Sequence, residues 1–334
     1  MATPLSPRSI RRILVIKLSS LGDLFHALPA VHELKTGFGA VVDWVTQPAY
    51  TELVGRFGDV NRVLAFPRRR FLTGAAAFFR DLRRDRYDLI VDFQGLLKSA
   101  LIARLARGTF RLGPSFHREG AHLFYTAVAG PRNRNRHAVE EALDAVRYLG
   151  HTPTQPISPL SFPKRPRTEP RPRVALLPCS RWITKNWPPE RFIETARGLL
   201  ADPGAALFLV GAAEDRPVCD AIANALEGRV VNLCGQTSLV EMGSLLQEMD
   251  LVISVDSGPM HMAAALGIPV LAVFGATDPV RTGPYGAKHR VLHHENMPCR
   301  PCRSRQCARH DLACLADLPA GRVLAAARAM LASS

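Results

Sequence analysis

The feature that most constrains the fold is a strand–helix alternation that runs through the chain twice with one interruption. Short apolar runs, such as residues 13–16 and 89–93, predict buried strands, and segments with helical periodicity follow them. The interruption, residues 151–173, holds seven prolines and has no helical periodicity. Alternating strands and helices predict a parallel sheet covered on both faces, so the chain is predicted to be α/β, with two doubly wound, Rossmann-like domains.

The proline-rich segment sets the predicted domain boundaries. Residues 1–155 form the first domain, 156–172 a semi-rigid linker and 173–334 the second domain. An alanine-rich helix at the end of the second domain is expected to be able to pack back on the first. Because ligands of open parallel sheets bind at the carboxyl ends of the strands, we expect the two domains to face a central cleft.

Composition and charge restrict the class of partner. No apolar run reaches the ~18 residues that span a bilayer. The apolar run near the start of the chain is too short and too charged to be the core of a secretion signal. A cytoplasmic protein is therefore expected. The formal net charge of +14 favours a polyanion, such as nucleic acid, acidic phospholipid or a phosphorylated glycolipid. Nucleic acid is the lesser alternative, since no recognition motif occurs and aromatic residues make up only 7%.

The most informative motif is VDSGPMHMAAA, residues 255–265, between an apolar strand and a helix. A turn of small residues leaves backbone N–H groups at the positive end of the helix, where a diphosphate can bind. Asp256 and His261 are placed to contact the sugar or phosphate of a nucleotide. The alternative is a capped turn with Asp256 or Ser257 as N-cap and no ligand.

A second small-residue turn, KLSSLGD at residues 17–23, follows the first strand. Asp23 would lie at the carboxyl edge of the sheet, where it could take a proton from an attacking hydroxyl. The alternative is that Asp23 only caps the helix predicted to begin at Leu24. The turn lacks G-x-G-x-x-G, which disfavours a nicotinamide dinucleotide site.

The polar loop at residues 177–188 follows the first strand of the second domain. Lys185 could neutralise a departing diphosphate, and the hydroxyls of Ser180 and Thr184 could donate to the same oxygens. A merely solvated lysine is the alternative, and two neighbouring tryptophans count against it. In the first domain, Arg68 and Arg69 belong to a basic set that indicates an anionic acceptor or membrane surface, with simply solvated arginines as the alternative.

Four cysteines, Cys299, Cys302, Cys307 and Cys314, lie within 16 residues in the pattern C-x2-C-x4-C-x6-C. Four thiolates can hold one metal ion tetrahedrally, and a structural zinc site is the leading interpretation. An iron–sulfur cluster and unligated, reduced thiols remain alternatives, since the pattern is not that of a zinc ribbon.

Four stretches together resemble a known family: KLSSLGD (17–23), DFQGLLKS (92–99), KNWP (185–188), and residues 255–265 followed by FGATDP (274–279). In this order they resemble the lipopolysaccharide heptosyltransferases of glycosyltransferase family 9, which have the GT-B fold. The first half is most similar to heptosyltransferase I.

The resemblance implies an inverting transfer of heptose from ADP-heptose to the Kdo region of the lipopolysaccharide inner core, with no metal or other cofactor in catalysis. The enzyme would work in the cytoplasm, peripherally on the inner face of the cytoplasmic membrane, on an anionic Kdo-lipid A acceptor. A family member with another nucleotide sugar or acceptor is the alternative.

The resemblance also implies roles for individual residues. Asp23 is the implied base, and Lys185 meets the phosphates. The implied donor-binding residues are Ser180, Thr184, Lys185, Asp256, Ser257, Gly258 and His261. The implied acceptor-binding residues are Ser20, Gly22, Arg68, Arg69, Gln94 and Lys98.

Overall fold

A computed structural model of the protein divides the chain into two units, Met1–Ser161 and Phe162–Ser334. It describes residues 10–68, 71–133, 135–154, 157–165 and 171–333, except for the side chains of residues 71 and 72. The division falls within the segment 156–172 that the prolines predict to be a linker. Each unit is a parallel sheet of six strands with helices around it, so the predicted two-fold repeat of a doubly wound α/β domain is confirmed.

The strands of unit 1 are β1 (Arg12–Ile16), β2 (Val41–Thr46), β3 (Val60–Ala65), β4 (Tyr87–Asp92), β5 (Gly108–Pro114) and β6 (Ala127–Ala129). Its helices are α1 (Leu21–Phe38), α2 (Thr51–Val54), α3 (Phe71–Leu82), α4 (Leu97–Leu105) and α5 (Ala138–Tyr148). The sheet order is β3-β2-β1-β4-β5-β6.

The strands of unit 2 are β7 (Arg173–Leu177), β8 (Ala206–Leu209), β9 (Val231–Asn232), β10 (Leu251–Val255), β11 (Val270–Phe274) and β12 (Arg290–His293). Its helices are α6 (Pro189–Leu199), α7 (Arg216–Ala225), α8 (Leu239–Leu246), α9 (Gly258–Ala265), α10 (Pro279–Thr282), α11 (Ala313–Ala316) and α12 (Ala320–Ala332). The order β12-β11-β10-β7-β8-β9 is the topology of unit 1 read from the other edge.

This topology positions the candidate site. The strand order reverses between β1 and β4 in unit 1 and between β7 and β10 in unit 2. Loops at such a switch point diverge to opposite faces of the sheet and leave a crevice where ligands bind. Most of the residues predicted to act on substrates lie just beyond the carboxyl ends of these four strands, on the loops or in the first turns of the helices that follow.

Helix ends follow local chemistry. Ser20 is the N-cap of α1 and forms a capping box with Asp23, while Gly39, at a φ of 61°, ends the helix in the left-handed conformation. The helix therefore begins at Leu21 rather than at the predicted Leu24.

The last helix, α12, lies on α6 of its own unit, where Arg328 Nη2 donates to Gly198 O at 2.9 Å. The idea that this helix packs on the first domain stays a prediction.

Each sheet carries a buried aliphatic core. Strands β1, β10 and β11 are buried along nearly their whole length, as expected for central parallel strands with helices on both faces. Within the described ranges, no helix reaches both the length and the hydropathy of a membrane-spanning segment.

Candidate active site

The loop after β1 places Asp23 in the first turn of α1. Its Oδ2 accepts hydrogen bonds from Ser20 N at 2.8 Å and Ser20 Oγ at 2.9 Å. The side chain is nevertheless 44% exposed, and its Oδ1 lies 3.9 Å from His26 Nδ1. Asp23 is thus part of a helix cap and also a solvent-accessible carboxylate at the carboxyl edge of the sheet, so the cap does not exclude the predicted role as a base.

Gln94, which follows β4, positions that loop. Its Oε1 accepts from Leu18 N at 3.0 Å and from Ser19 N at 3.1 Å. Beside it, the buried Lys17 ammonium donates to Phe93 O at 2.8 Å. The carboxamide oxygen of this predicted acceptor residue is therefore engaged in joining the loops after β1 and β4. The role of Lys17 was missed, although it begins one of the four recognised stretches.

Asp92, at the end of β4, connects the loop after that strand to Tyr125, which lies just before β6. Its Oδ1 accepts from Gln94 N at 2.7 Å and Gly95 N at 3.1 Å, and its Oδ2 accepts from the Tyr125 hydroxyl at 2.7 Å. Complete burial raises the pKa of Asp92, and burial together with the Asp92 charge raises that of Tyr125. Sequence reasoning assigned neither residue a role, because their pairing depends on the β4–β5–β6 register.

The remaining predicted acceptor residues are spread around this edge. Gly22 is buried in the first turn of α1, and Lys98 is half-buried in the first turn of α4. Arg68 is exposed after β3, and Arg69 lies outside the described residues. Of the six predicted acceptor residues, the structure connects Ser20 and Gln94: Gln94 accepts from the neighbouring Ser19 N, and Ser20 donates to the predicted base, Asp23.

In unit 2, the loops after β7, β10 and β11 meet at one ion pair. Lys185 Nζ lies 2.8 Å from Asp256 Oδ2, and Thr277 Oγ1 donates to the same oxygen at 2.5 Å. Asp256 is buried and most of the Lys185 side chain is covered. This is not the geometry of a solvated lysine. Thr277 was not predicted as a site residue, although it lies in the recognised stretch 274–279.

Trp182 flanks the same lysine. The Lys185 ammonium is 4.8 Å from the centroid of the Trp182 ring, and Arg305 Cζ is 5.0 Å from it. Cations over an indole face are attracted by its quadrupole. Lys185 and Arg305 therefore both lie close to the Trp182 ring, and two neighbouring cations suit an anionic ligand.

Ser180 and Thr184 have structural partners. Ser180 N donates to Asn186 Oδ1 at 2.7 Å, which closes the loop on itself. The buried Thr184 hydroxyl donates to Ser304 O at 2.6 Å. The sequence predicted that this hydroxyl donates to phosphate oxygens. In the structure it instead joins the loop to residues 299–314, the segment that carries the four clustered cysteines.

Gly275 leaves room for the backbone of that loop. Thr184 O accepts from Ala276 N at 3.1 Å. A Cβ built on Gly275 would lie only 2.5 Å from Thr184 O. The loop that carries Lys185 can take this position because residue 275 has no side chain.

The turn after β10 has the expected cap. Ser257 is the N-cap of α9 and its side chain accepts from Met260 N, while Gly258 begins the helix. His261 is buried in the helix that follows. The capped turn anticipated from the sequence is present, and its N–H groups lie next to Asp256, so the cap and an anion site are compatible.

The four clustered cysteines do not form a metal-binding group as placed. Cys299 and Cys302 are exposed, Cys307 is half-buried and Cys314 is buried. Throughout the part of the chain that the structure describes, no three or more His, Cys, Asp or Glu side chains are grouped so that they could hold a metal ion. Zinc ligation stays a prediction from the spacing alone.

Instead, two arginines attach the segment that carries these cysteines to the rest of unit 2. Arg300 Nε donates to Gly275 O at 2.6 Å, and its Nη1 donates to His294 O at 3.1 Å. Arg303 Nη2 lies 3.0 Å from Asp278 Oδ2. The loop is thereby tied to the segment after β11 that also carries Thr277.

Comparison with known proteins matches the chain to one family. The sequence profile of glycosyltransferase family 9 (heptosyltransferase) matches residues 75–313. Lipopolysaccharide heptosyltransferase 1 of Pseudomonas aeruginosa is 30% identical over 313 residues, which cover 89% of this chain and 87% of that protein. Among solved structures, E. coli heptosyltransferase WaaC with ADP is similar, with a TM-score of 0.78, 28% identity and coverage of 96% of this chain and 99% of that one. The same enzyme with ADP-2-deoxy-2-fluoro heptose has a TM-score of 0.75 and 27% identity, and the match covers 95% of this chain and 99% of that one.

Proposed function

Because the chain belongs to glycosyltransferase family 9, the heptosyltransferases, we propose that it transfers heptose from ADP-heptose to the Kdo region of the lipopolysaccharide inner core. The observation that carries this proposal is the Lys185–Asp256–Thr277 cluster beside the N-terminus of α9 in unit 2. A cation and a helix N-terminus on one switch-point edge suit the diphosphate of a nucleotide sugar. The similar WaaC structures contain ADP and a fluorinated ADP-heptose, which supports this choice of donor.

Unit 2 would stabilise the leaving group. As the bond between heptose and diphosphate breaks, negative charge accumulates on ADP. The Lys185 ammonium, oriented by Asp256 and lying near the Trp182 ring, would stabilise that charge more in the transition state than in the bound donor. The backbone N–H groups of Ser257 and Gly258, at the start of α9, would face the same anion, and His261 lies one turn further along the helix.

Unit 1 would activate the acceptor. Asp23 is an exposed carboxylate whose orientation is fixed by the two donors of Ser20. It would take the proton from the acceptor hydroxyl as that oxygen attacks the anomeric carbon of heptose. Gln94 would act by positioning the loop through Leu18 and Ser19, and Lys98 and Arg68 would meet the anionic groups of the acceptor.

The acceptor implied by this proposal is Kdo on lipid A, an anionic lipid-linked sugar. Formal charge of +14 favours such an acceptor and a peripheral position on the cytoplasmic face of the inner membrane.

The test is incubation with ADP-heptose and Kdo-lipid A, followed by mass analysis of the lipid. We expect the lipid to gain one heptose and ADP to be released in equal amount. Lys185→Ala and Asp23→Asn proteins serve as matched controls. Release of ADP with no change in lipid mass, or equal use of other nucleotide sugars, would replace this proposal with the alternative of another donor or acceptor.

A further inference from the structure

Helix α4 exposes leucines where a helix of a globular domain usually buries them. Leu97, Leu101 and Leu105 are 37%, 39% and 42% exposed, and their spacing of four residues puts them on one side of the helix. The opposite side packs inward through small or branched residues such as Ala100 and Ile102.

A fourth leucine extends this apolar surface. Leu123, 76% exposed, lies in the short 3-10 turn Ala121–Phe124, which packs against α4. We call Leu97, Leu101, Leu105 and Leu123 the leucine face. Isolated exposed leucines are ordinary, whereas an aligned set on one element indicates an interaction surface.

Cations border the leucine face. Arg104 is exposed on α4 itself, Arg83 Nη1 donates to Leu105 O at 2.9 Å, and Arg107 Nη1 donates to Arg83 O at 3.3 Å. One acidic group also touches this region: Glu119 Oε2 accepts from Leu97 N at 3.2 Å at the start of the helix. The C-terminal end of α4 therefore combines exposed leucines with three arginines.

We infer that the leucine face and its arginines dock the protein on an anionic lipid bilayer. The leucines would enter the boundary between headgroups and acyl chains, while the arginines stay at the level of the lipid phosphates. This inference rests on the proposed function, because a lipid-linked acceptor is held in a membrane. It assigns the docking to α4 and the turn beside it, on the unit that carries Asp23.

The charge pattern distinguishes a bilayer from other occupants. A second copy of the chain would bring Arg83, Arg104 and Arg107 against their own equivalents in a two-fold pairing, and like charges oppose that contact. Nucleic acid would use the arginines but leave four leucines in water. An anionic bilayer satisfies both sets of side chains at once.

The test measures sedimentation of the full chain with vesicles, with no donor or acceptor present. Wild-type protein is expected to bind vesicles of phosphatidylcholine and phosphatidylglycerol and to bind phosphatidylcholine alone much more weakly. Leu101→Asp/Leu105→Asp should weaken binding to the mixed vesicles at least about tenfold, because two apolar anchors are lost. Arg104→Glu should also weaken binding, and more strongly at low salt, because its contribution is electrostatic.

Val231→Asp is the matched control, since Val231 is an exposed apolar residue of unit 2, and its binding should equal that of wild type. Equal binding by the double leucine variant and the control would overturn the inference, as would a dimer in analytical ultracentrifugation that the leucine substitutions abolish. Vesicle binding without heptose transfer would instead count against the proposed function and leave the docking face in place. Thermal melts confirm that each variant is folded.

Discussion

The ammonium of Lys185 and the carboxylate of Asp256 lie 2.8 Å apart in a largely buried pair, with the Thr277 hydroxyl on the same carboxylate oxygen. Lys185 and Asp256 come from different loops of unit 2, so the pair joins the two loops and, in the proposed function, also orients a cation toward the donor. These two roles can be separated by substitution.

Lys185→Ala is expected to lower kcat by about 10²–10³-fold, the usual effect of removing one group that stabilises developing charge. It should also destabilise the protein, because Asp256 loses its counter-ion while buried. A Lys185→Ala/Asp256→Ala double variant should recover part of the stability but none of the activity. Steady-state kinetics and thermal melts on the same samples check both statements. Wild-type kinetics in the single variant would leave Lys185 as a purely structural residue.

Asp23→Asn is expected to reduce turnover by about 10²–10⁴-fold, as loss of a general base does. The asparagine oxygen can still accept from Ser20, so the start of α1 and the melting temperature should change little. ADP binding, measured by calorimetry, should stay near the wild-type value. Ser20→Ala is the control for the cap, and it should lose less activity than Asp23→Asn. Comparable activity in Asp23→Asn and wild type would remove Asp23 from the proton transfer.

EDTA is expected to leave the initial rate of transfer unchanged in a short assay. The sequence has no Asp-x-Asp pair at a strand end to hold Mg²⁺ against a diphosphate, whereas Lys185 and the N-terminus of α9 can neutralise that charge. Loss of activity that Mg²⁺ or Mn²⁺ restores would contradict this expectation.

Arg300→Ala is expected to lower the melting temperature more than Cys302→Ser does. The arginine donates to Gly275 O and His294 O, and leaving such carbonyls without donors costs about 1–3 kcal/mol. Cys302 is exposed, so its replacement by a residue of similar size should be nearly neutral if no metal is bound. Elemental analysis of the same proteins gives the decisive measurement. One equivalent of zinc in the wild type, absent in Cys302→Ser together with a large drop in stability, would establish the metal site predicted from the cysteine spacing.

His289 is expected to make the protein less stable as pH falls from about 6.5 to 4. Burial lowers its pKa from 6.5 to about 4, and the nearby Lys288 charge acts in the same direction. In that range the unfolded chain binds a proton that the folded chain does not, so protons favour unfolding. The shift corresponds to about 3 kcal/mol at the acid end. Denaturant unfolding across this range should show a shallower loss of stability for His289→Gln, and identical pH profiles would exclude the effect.

The central strands were predictable because they are buried along their length. The predicted strand 13–16 lies within β1, and the predicted strand 89–93 overlaps β4 at all but its last residue. Strands β5, β6 and β12 were not predicted from the sequence. β6 and β12 are short strands at the sheet edges, and β5 mixes exposed Thr109 and half-buried Arg111 with apolar residues, so none forms an apolar run.

For the candidate site, the residue types that follow particular strands were predictable from the sequence, whereas the contacts between them were not. Spacing indicated Lys185 and Asp256, because each follows a predicted strand, yet their ion pair requires β7 and β10 to be neighbours. Pairings such as Thr277 with Asp256, Tyr125 with Asp92 and Thr184 with Ser304 link distant segments. Hydrophobic periodicity contains no information about such partners.

The absent side chain at Gly275 means that this position acts through the space it leaves open as well as through its backbone carbonyl. In a saturation-mutagenesis map scored by heptose transfer, residue 275 would be as intolerant as a residue that contacts a ligand, although it has no side chain to offer. Even alanine would displace the carbonyl of Thr184, and with it the neighbouring Lys185. Mutational sensitivity in unit 2 would therefore identify both the groups proposed to meet the donor and the gaps that allow those groups to be there.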